Sequence, residues 1–229
     1  MAAAAKKTRK ELLKEPDEFI TLSSRMVGFI ATYKKIIGYI CFGVLLVAVL
    51  FSAYIGYSGW RESAAAAQLA QALAKYERLR AETSQVKAVQ GVAEDFRRIL
   101  DDFGNRSNGS IARVLYANLC YEAGDFKQAA ELYRTSLARF ADDPLMRFLL
   151  LKSLAYAHEG LKDYATAVTY FEQALAAAQK NLQDDVLFHL GDLYARLGDS
   201  QKSTAAFNRL LSDHQGSVFV NMVRERVNS

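Results

Sequence analysis

The sequence predicts an all-α protein with three parts: an N-terminal tail carrying an interfacial helix, one membrane-spanning helix, and a solenoid of helical hairpins. Three observations predict it. Residues 36–60 form an uncharged apolar run, the whole excess of positive charge lies before that run, and the segment after residue 110 repeats at spacings of 38 and 36 residues.

The chain has 229 residues, 51% of them hydrophobic, and a mean hydropathy of −0.04. Those averages suit an ordinary soluble protein and conceal the local excess in "IIGYICFGVLLVAVLFSAYIGYSGW". At about 1.5 Å per residue such a helix exceeds a hydrocarbon core of about 30 Å. Lys34 and Lys35 close one end, and Arg61 and Glu62 close the other. Tyr39 marks the first boundary and Tyr54, Tyr57 and Trp60 the second, as interfacial aromatic belts require. The length and flanks disfavour a buried core helix. A cleaved signal peptide is disfavoured too, because about 35 residues precede the run and it exceeds a signal core.

Orientation follows from charge. Residues 1–35 hold eight basic residues (Lys6, Lys7, Arg9, Lys10, Lys14, Arg25, Lys34, Lys35) against Glu11, Glu15, Asp17 and Glu18. Of the 29 basic and 25 acidic residues, 21 of each remain, so the net +4 belongs to the tail. Positive flanks stay in the cytoplasm, which places the tail inside and exports the rest. The basic pI of about 9.0 therefore reads as a tail facing lipid headgroups, with no nucleic-acid partner.

The elements follow in order. Residues 1–35 read as a basic cytoplasmic tail, loose to about residue 15. From Pro16, with Asp17 and Glu18 at a helix's positive end, Phe19, Leu22, Met26, Phe29, Ile30 and Tyr33 recur at helical spacing. This amphipathic helix lies along the membrane interface or docks a cytoplasmic partner, the former being favoured. Residues 36–60 are the span. Residues 61–109 form an Ala-rich linker helix continuing the anchor and a second helix near Val86–Phe103, with Phe96 in the aromatic slot of a degenerate leading repeat. "GNRSNGS" then reads as a loop.

Residues 110–215 contain "YANLCYEAGDFKQAAELYRTSL", "LAYAHEGLKDYATAVTYFEQAL" and "LGDLYARLGDSQKSTAAFNRLL". Small residues recur at Ala129, Ala167 and Ser203, each followed four positions later by Tyr133, Phe171 or Phe207. Ala117, Ala155 and Gly191 supply a small position in each first helix. Helices approach closely only where a side chain is small, and a ring then fills the neighbouring gap. Each unit is a hairpin that needs its neighbours to bury its apolar face. This is the tetratricopeptide pattern, fitted best by Leu190, Gly191, Tyr194, Gly198 and Phe207. The first unit lacks the leading Trp, Pro144 comes three positions late, and Lys162 stands where a turn glycine is expected. Residues 216–229 read as a capping helix.

No nucleotide-binding glycine loop, GxSxG, HExxH or CxxC is present, so the reading is of a non-enzyme with no cofactor, metal or small-molecule substrate. His158 and His189 could bind a metal only with a third ligand, for which Asp192 is the candidate; solvated groove histidines are the favoured reading. Asp101–Asp102 and Asp184–Asp185 read as helix-end charges. Cys41 and Cys120 lie too far apart in the plan to pair and read as packing residues. The candidate partner-binding groove, by register, comprises Asn118, Tyr121, Lys152, Tyr156, Phe188 and Asp192. Its mixture of rings and single charges suits extended polypeptide. The Lys/Asn clamp that some tetratricopeptide domains use on a C-terminal carboxylate is not reproduced. Ala48, Ser52 and Gly56 form a small-residue row on one face of the span, for lateral helix packing or for lipid.

The stretch "FIATYKKIIGYICFGVLLVAVLFSAYIGYSGWRESAAAAQLAQALAKYE" joins a basic end, a glycine-containing span, a Gly59-Trp60-Arg61 exit and an Ala-rich helix. In this order and in the repeats that follow, the chain from about Arg25 onward resembles the YfgM-like family of bacterial inner-membrane proteins. The resemblance implies a single-pass inner-membrane protein with a periplasmic domain. It further implies an ancillary Sec-translocon subunit in a chaperone network, with exported polypeptides or translocon subunits as partners. The alternative is a structural scaffold of a cell-envelope machine serving cell-wall, division or pilus assembly.

Overall fold

The computed structural model describes the backbone of residues 18–227, with side chains at Val27, at Phe29 and from residue 31 onward. Residues 1–17 and the side chains of Phe19, Leu22, Met26 and Ile30 lie outside the described residues, and most of the predicted interfacial stripe falls there. The chain divides into two units, Met1–Gly59 and Trp60–Ser229. Nine α-helices and no strand occur among the described residues: α1 (Glu18–Glu82), α2 (Gln85–Phe103), α3 (Ser107–Glu122), α4 (Phe126–Arg139), α5 (Pro144–Gly160), α6 (Tyr164–Ala177), α7 (Asp184–Arg196), α8 (Ser200–Asp213) and α9 (Val220–Val227). A short 3₁₀ turn, Lys180–Leu182, precedes α7.

In the first unit, Tyr33 leaves helical geometry (φ −104°, ψ 15°) and kinks α1 just before Lys34 and Lys35. From Ile36 to Gly59 no side chain is buried. An apolar helix with no protein around it is the opposite of a core helix. It is long and apolar enough to cross a membrane, which is compatible with single-pass anchoring.

The second unit opens with the remainder of α1. Ala65, Leu69, Ala72 and Tyr76 are buried at helical spacing, and all but Ala65 join one core with Ala88, Val89, Val92 and Phe96 of α2. Phe96 stacks on Tyr116 at 4.8 Å. The Ser84 side chain caps α2 at the N–H of Lys87.

"GNRSNGS" is mostly helix: α3 begins at Ser107, so only residues 104–106 form the turn. The cause lies 45 residues upstream. The Glu62 carboxylate accepts hydrogen bonds from the N–H of Ser107 at 3.0 Å and from the N–H and side-chain amide of Asn108 at 3.2 Å. A carboxylate there satisfies donors that a helix start leaves open. The Asn108 N–H, chiefly, holds the Glu62 pKa below the ordinary carboxylate range. Arg61 beside it donates to the Asp102 carbonyl and lies over the Phe103 ring at 4.5 Å. Gly109 is needed because a Cβ there would meet the Phe103 carbonyl oxygen at 1.8 Å.

The three hairpins share one turn. Gly124, Lys162 and Gly198 sit at φ 82°, 62° and 81°. The next residue in each case, Asp125, Asp163 or Asp199, accepts from the backbone N–H three positions on, at Gln128, Thr166 and Lys202. Its own N–H closes the turn on the carbonyl of Cys120, His158 or Tyr194 at 2.8–2.9 Å. Lys162 therefore occupies the left-handed conformation the turn imposes, without the backbone freedom that glycine gains from lacking a Cβ. Within each hairpin the small residues Ala117, Ala155 and Gly191 are buried, as are Tyr133, Phe171 and Phe207. A Cβ at Gly191 would meet the Phe207 ring at 2.3 Å.

Successive hairpins share their helices' two sides. Leu150 and Leu154 of α5 face the core built by α1 to α4, while Phe148, Leu151 and Ala155 face the next. That double burial explains why "PLMRFLLLKSLAYA" is apolar nearly all round. Pro144 takes the first turn of α5, where its missing N–H costs nothing, and Asp143 caps the helix. At the far end, Val220 and Val223 of α9 cover Leu187, Phe207 and Leu210.

Two outcomes follow for unfolding of the full chain in detergent, read by circular dichroism. Lys162→Gly raises the stability of the repeat unit by about 0.5–1 kcal/mol, after allowing for the greater unfolded-state entropy of glycine. Glu62→Ala lowers it by about 1 kcal/mol at neutral pH, the size of a lost helix cap.

Candidate functional site

The first helices of the three hairpins, α3, α5 and α7, bring the candidate groove residues onto one face. Asn118 and Tyr121 of α3 meet Ser153 and Tyr156 of α5 around a cavity of about 280 Å³, completed by Glu122 and by Tyr133 of α4. The Tyr133 hydroxyl donates to Asn118 Oδ1 at 2.6 Å, which fixes the amide. Burial pushes the Tyr133 pKa well above its ordinary value. Tyr121 is propped edge-on by Phe126 at 5.3 Å, and Phe126 in turn sits where a Cβ on Gly160 would be, 2.6 Å from its ring. Burial and the nearby Glu159 carboxylate raise the Tyr121 pKa.

Lys152 and Tyr156 converge on one carboxylate. Lys152 Nζ lies 2.8 Å from Asp185 Oδ2, and the Tyr156 hydroxyl donates to Asp185 Oδ1 at 2.8 Å. Burial opposes ionisation of Asp185, but these two partners outweigh it and hold its pKa below the ordinary value. The same burial and the facing carboxylate push Tyr156 strongly upward. His189 lies edge-on to Tyr156 at 4.8 Å and within 3.5 Å of both Glu159 and Asp185. Sequence reasoning took Asp185 for a helix-end charge. It lies on the inner face of α7, one turn before Phe188 and His189, so counting register back from those residues would have found it.

Phe188 and Asp192 are brought to the same face, but the chain itself engages them. Phe219 stacks on Phe188 at 4.6 Å, while Arg226 lies over the Phe188 ring at 5.5 Å and pairs with the Asp192 carboxylate. Arg196 also bonds Asp192 at 2.8 Å. The histidines do not converge with Asp192: His158 contacts Asp163 at 3.2 Å instead. Among the described residues no group of three or more His, Cys, Asp or Glu is arranged to hold a metal ion. Cys120 is buried and its thiol is pushed up to about 12, chiefly by burial, which suits packing and not reactivity.

On the apolar helix, Ala48, Ser52 and Gly56 are exposed. The Ser52 hydroxyl donates to the Ala48 carbonyl at 2.8 Å, and nothing lies within 4 Å of a Cβ placed on Gly56. The row thus presents little side-chain bulk.

Hairpins that share turn, cap and small-against-ring packing, with a common inner face, define a helical-repeat scaffold of the kind that holds other proteins. Residues 33–229 match the family described as "Tetratricopeptide repeat-like domain", and the chain belongs to that family. No match was found among curated protein sequences. Among solved structures, a tetratricopeptide repeat protein from Parabacteroides merdae is similar at a TM-score of 0.54 and 14% identity, over 69% of this chain and 57% of that one. The chain therefore spans just over half the length of that relative. BtubC from P. vanneervenii is similar at 0.47 and 20%, over 67% and 75%. The N-terminal domain of stress-induced protein-1 from C. elegans is similar at 0.44 and 22%, over 52% and 94%. At these identities the likeness concerns the fold alone.

The Asp185 ion pair yields a pH-dependent outcome. Its folded pKa lies below the unfolded value of about 3.9, so its contribution is full above that value and disappears as pH falls through the folded pKa. In urea unfolding of the full chain, Asp185→Asn costs about 1–2 kcal/mol at pH 7. The gap between variant and parent narrows as the pH falls below about 4.

Proposed function

We propose that this protein is a membrane-anchored interaction protein, acting as an ancillary subunit of the Sec translocon and its periplasmic chaperone network. In this reading residues 36–60 span the bacterial inner membrane, residues 1–35 stay cytoplasmic, and the helical repeats from residue 110 to 215 face the periplasm. Exported polypeptides are held at Asn118, Tyr121, Lys152 and Tyr156, with Phe188 and Asp192 at the far end of the same face. Ala48, Ser52 and Gly56 form the surface by which the span approaches neighbouring membrane helices.

One observation carries the reading. An exposed apolar helix runs into hairpin repeats whose shared face opens a tyrosine-lined cavity. Interaction scaffolds need a rigid surface with rings and spaced polar groups, and no reactive centre. The positive excess before the span supports the orientation. The Gly59-Trp60-Arg61 exit and the Ala-rich helix, in the order of the YfgM-like family, support the translocon role.

The test places photo-crosslinking residues at Tyr121 or Tyr156, and separately at Ser52, in growing cells, with trapped species identified by mass spectrometry. The groove positions are expected to trap newly exported chains of many sequences, and Ser52 to trap translocon subunits. Recovery of one fixed set of envelope-assembly proteins from every position would overturn this reading in favour of a structural scaffold.

A further inference from the structure

The tyrosine-lined cavity has a charge character that the face as a whole does not reveal. Its lining contains three phenol rings, Asn118, Ser153 and the Glu122 carboxylate, and neither lysine nor arginine. Lys152, a cation on the same face, is committed to Asp185. Asn118 Oδ1 is committed to Tyr133. Glu122 is exposed, and its Oε2 accepts from the Gln85 amide at 3.0 Å, which orients the carboxylate and leaves Oε1 for a newcomer. A cavity of about 280 Å³ lies at the lower edge of the roughly 300–1,000 Å³ typical of small-molecule sites, and suits one long side chain.

The protein contains its own example of such an occupant. Ala117, Ala155 and Gly191 align the three first helices, so the residues that follow them, Asn118, Tyr156 and Asp192, are equivalent. At the Asp192 position, the guanidinium of Arg226 lies over the Phe188 ring and pairs with the carboxylate. Ring below and carboxylate beside is a geometry that a planar guanidinium satisfies better than an ammonium. The cavity between the first and second hairpins holds the same ingredients at other register positions, with Tyr121 and Tyr156 as rings and Glu122 as the acid, and among the described residues no segment of the chain fills it.

We infer that this cavity receives an arginine side chain from an extended polypeptide partner, stacked on the tyrosine rings with its guanidinium on Glu122. The inference rests on the reading of this face as a polypeptide-binding surface and adds what that surface selects. Basic segments are preferred, and acidic termini are rejected by Glu122 and by the neighbouring Glu159.

The test uses the full chain in phosphatidylcholine nanodiscs, which carry no net charge to attract a basic peptide. Fluorescence anisotropy follows a labelled Gly/Ser/Ala dodecapeptide bearing two arginines, and its counterparts with citrulline or glutamate in their place. The arginine peptide is expected to bind about tenfold more tightly than the citrulline peptide, the scale of one charge-assisted contact. Glu122→Gln and Tyr121→Leu are each expected to weaken it by about the same factor, while Glu131→Gln, on the exposed side of α4, leaves it unchanged. Circular dichroism verifies that each variant is folded. Equal binding of all three peptides, lost in Tyr156→Ala, would overturn the arginine preference and leave the groove reading intact. Arginine-peptide binding that ignores both Glu122→Gln and Tyr121→Leu would place the contact elsewhere and overturn the inference. No binding by any peptide would remove the inference and the groove reading together.

Discussion

The repeat unit depends on how closely the two helices of a hairpin can approach. A hairpin has no interior of its own, so it is stable only if its inner seam is filled and its outer faces are covered by neighbours. The seam is filled by rings lying against small residues, most tightly at Gly191 and Phe207, where even a methyl group would collide. Close approach in turn demands a short turn, and a short turn demands a left-handed residue followed by a helix cap. Gly124–Asp125, Lys162–Asp163 and Gly198–Asp199 meet that demand three times over. Stacking then brings α3, α5 and α7 side by side, and the common face exists only because the seams are tight.

Features of this local kind are legible in the sequence. The apolar run, the period, the small and aromatic positions and the three turns all involve residues close together in the chain. Even the irregular Lys162 could be assigned, because the flanking pattern fixed the turn before its residue was considered. The start of α3 could not. Ser107, Asn108 and Gly109 read as loop formers, and only the distant Glu62 carboxylate converts them into the first turn of a helix. Local propensity yields here to a tertiary cap.

The site shows the same division. Register placed Asn118, Tyr121, Lys152 and Tyr156 on one face, since side-chain direction follows helical period. It did not reveal which charges cancel. Lys152 reads as an available cation until Asp185 is found against it, and Asp192 reads as an available acid until Arg226 is found on it. Pairing across helices depends on reach and on the return path of the C-terminal segment, neither of which is periodic. The charge of this face is thus a remainder left after internal pairing, with Lys152 and Asp192 neutralised within the chain and the Glu122 carboxylate exposed.

The clasp made by Arg61 and Glu62 has a mechanical consequence. Traction applied to the chain at Trp60 would otherwise peel α1 from α2 one turn at a time, starting where the helix enters the repeat unit. Because Arg61 grips Asp102 and Phe103, and Glu62 grips the beginning of α3, the pull is spread at once over the α2–α3 corner. Those bonds lie between the point of traction and the core of Ala72, Tyr76 and Phe96. A hairpin stack fastened at its first residues in this way resists unravelling from its N-terminal end.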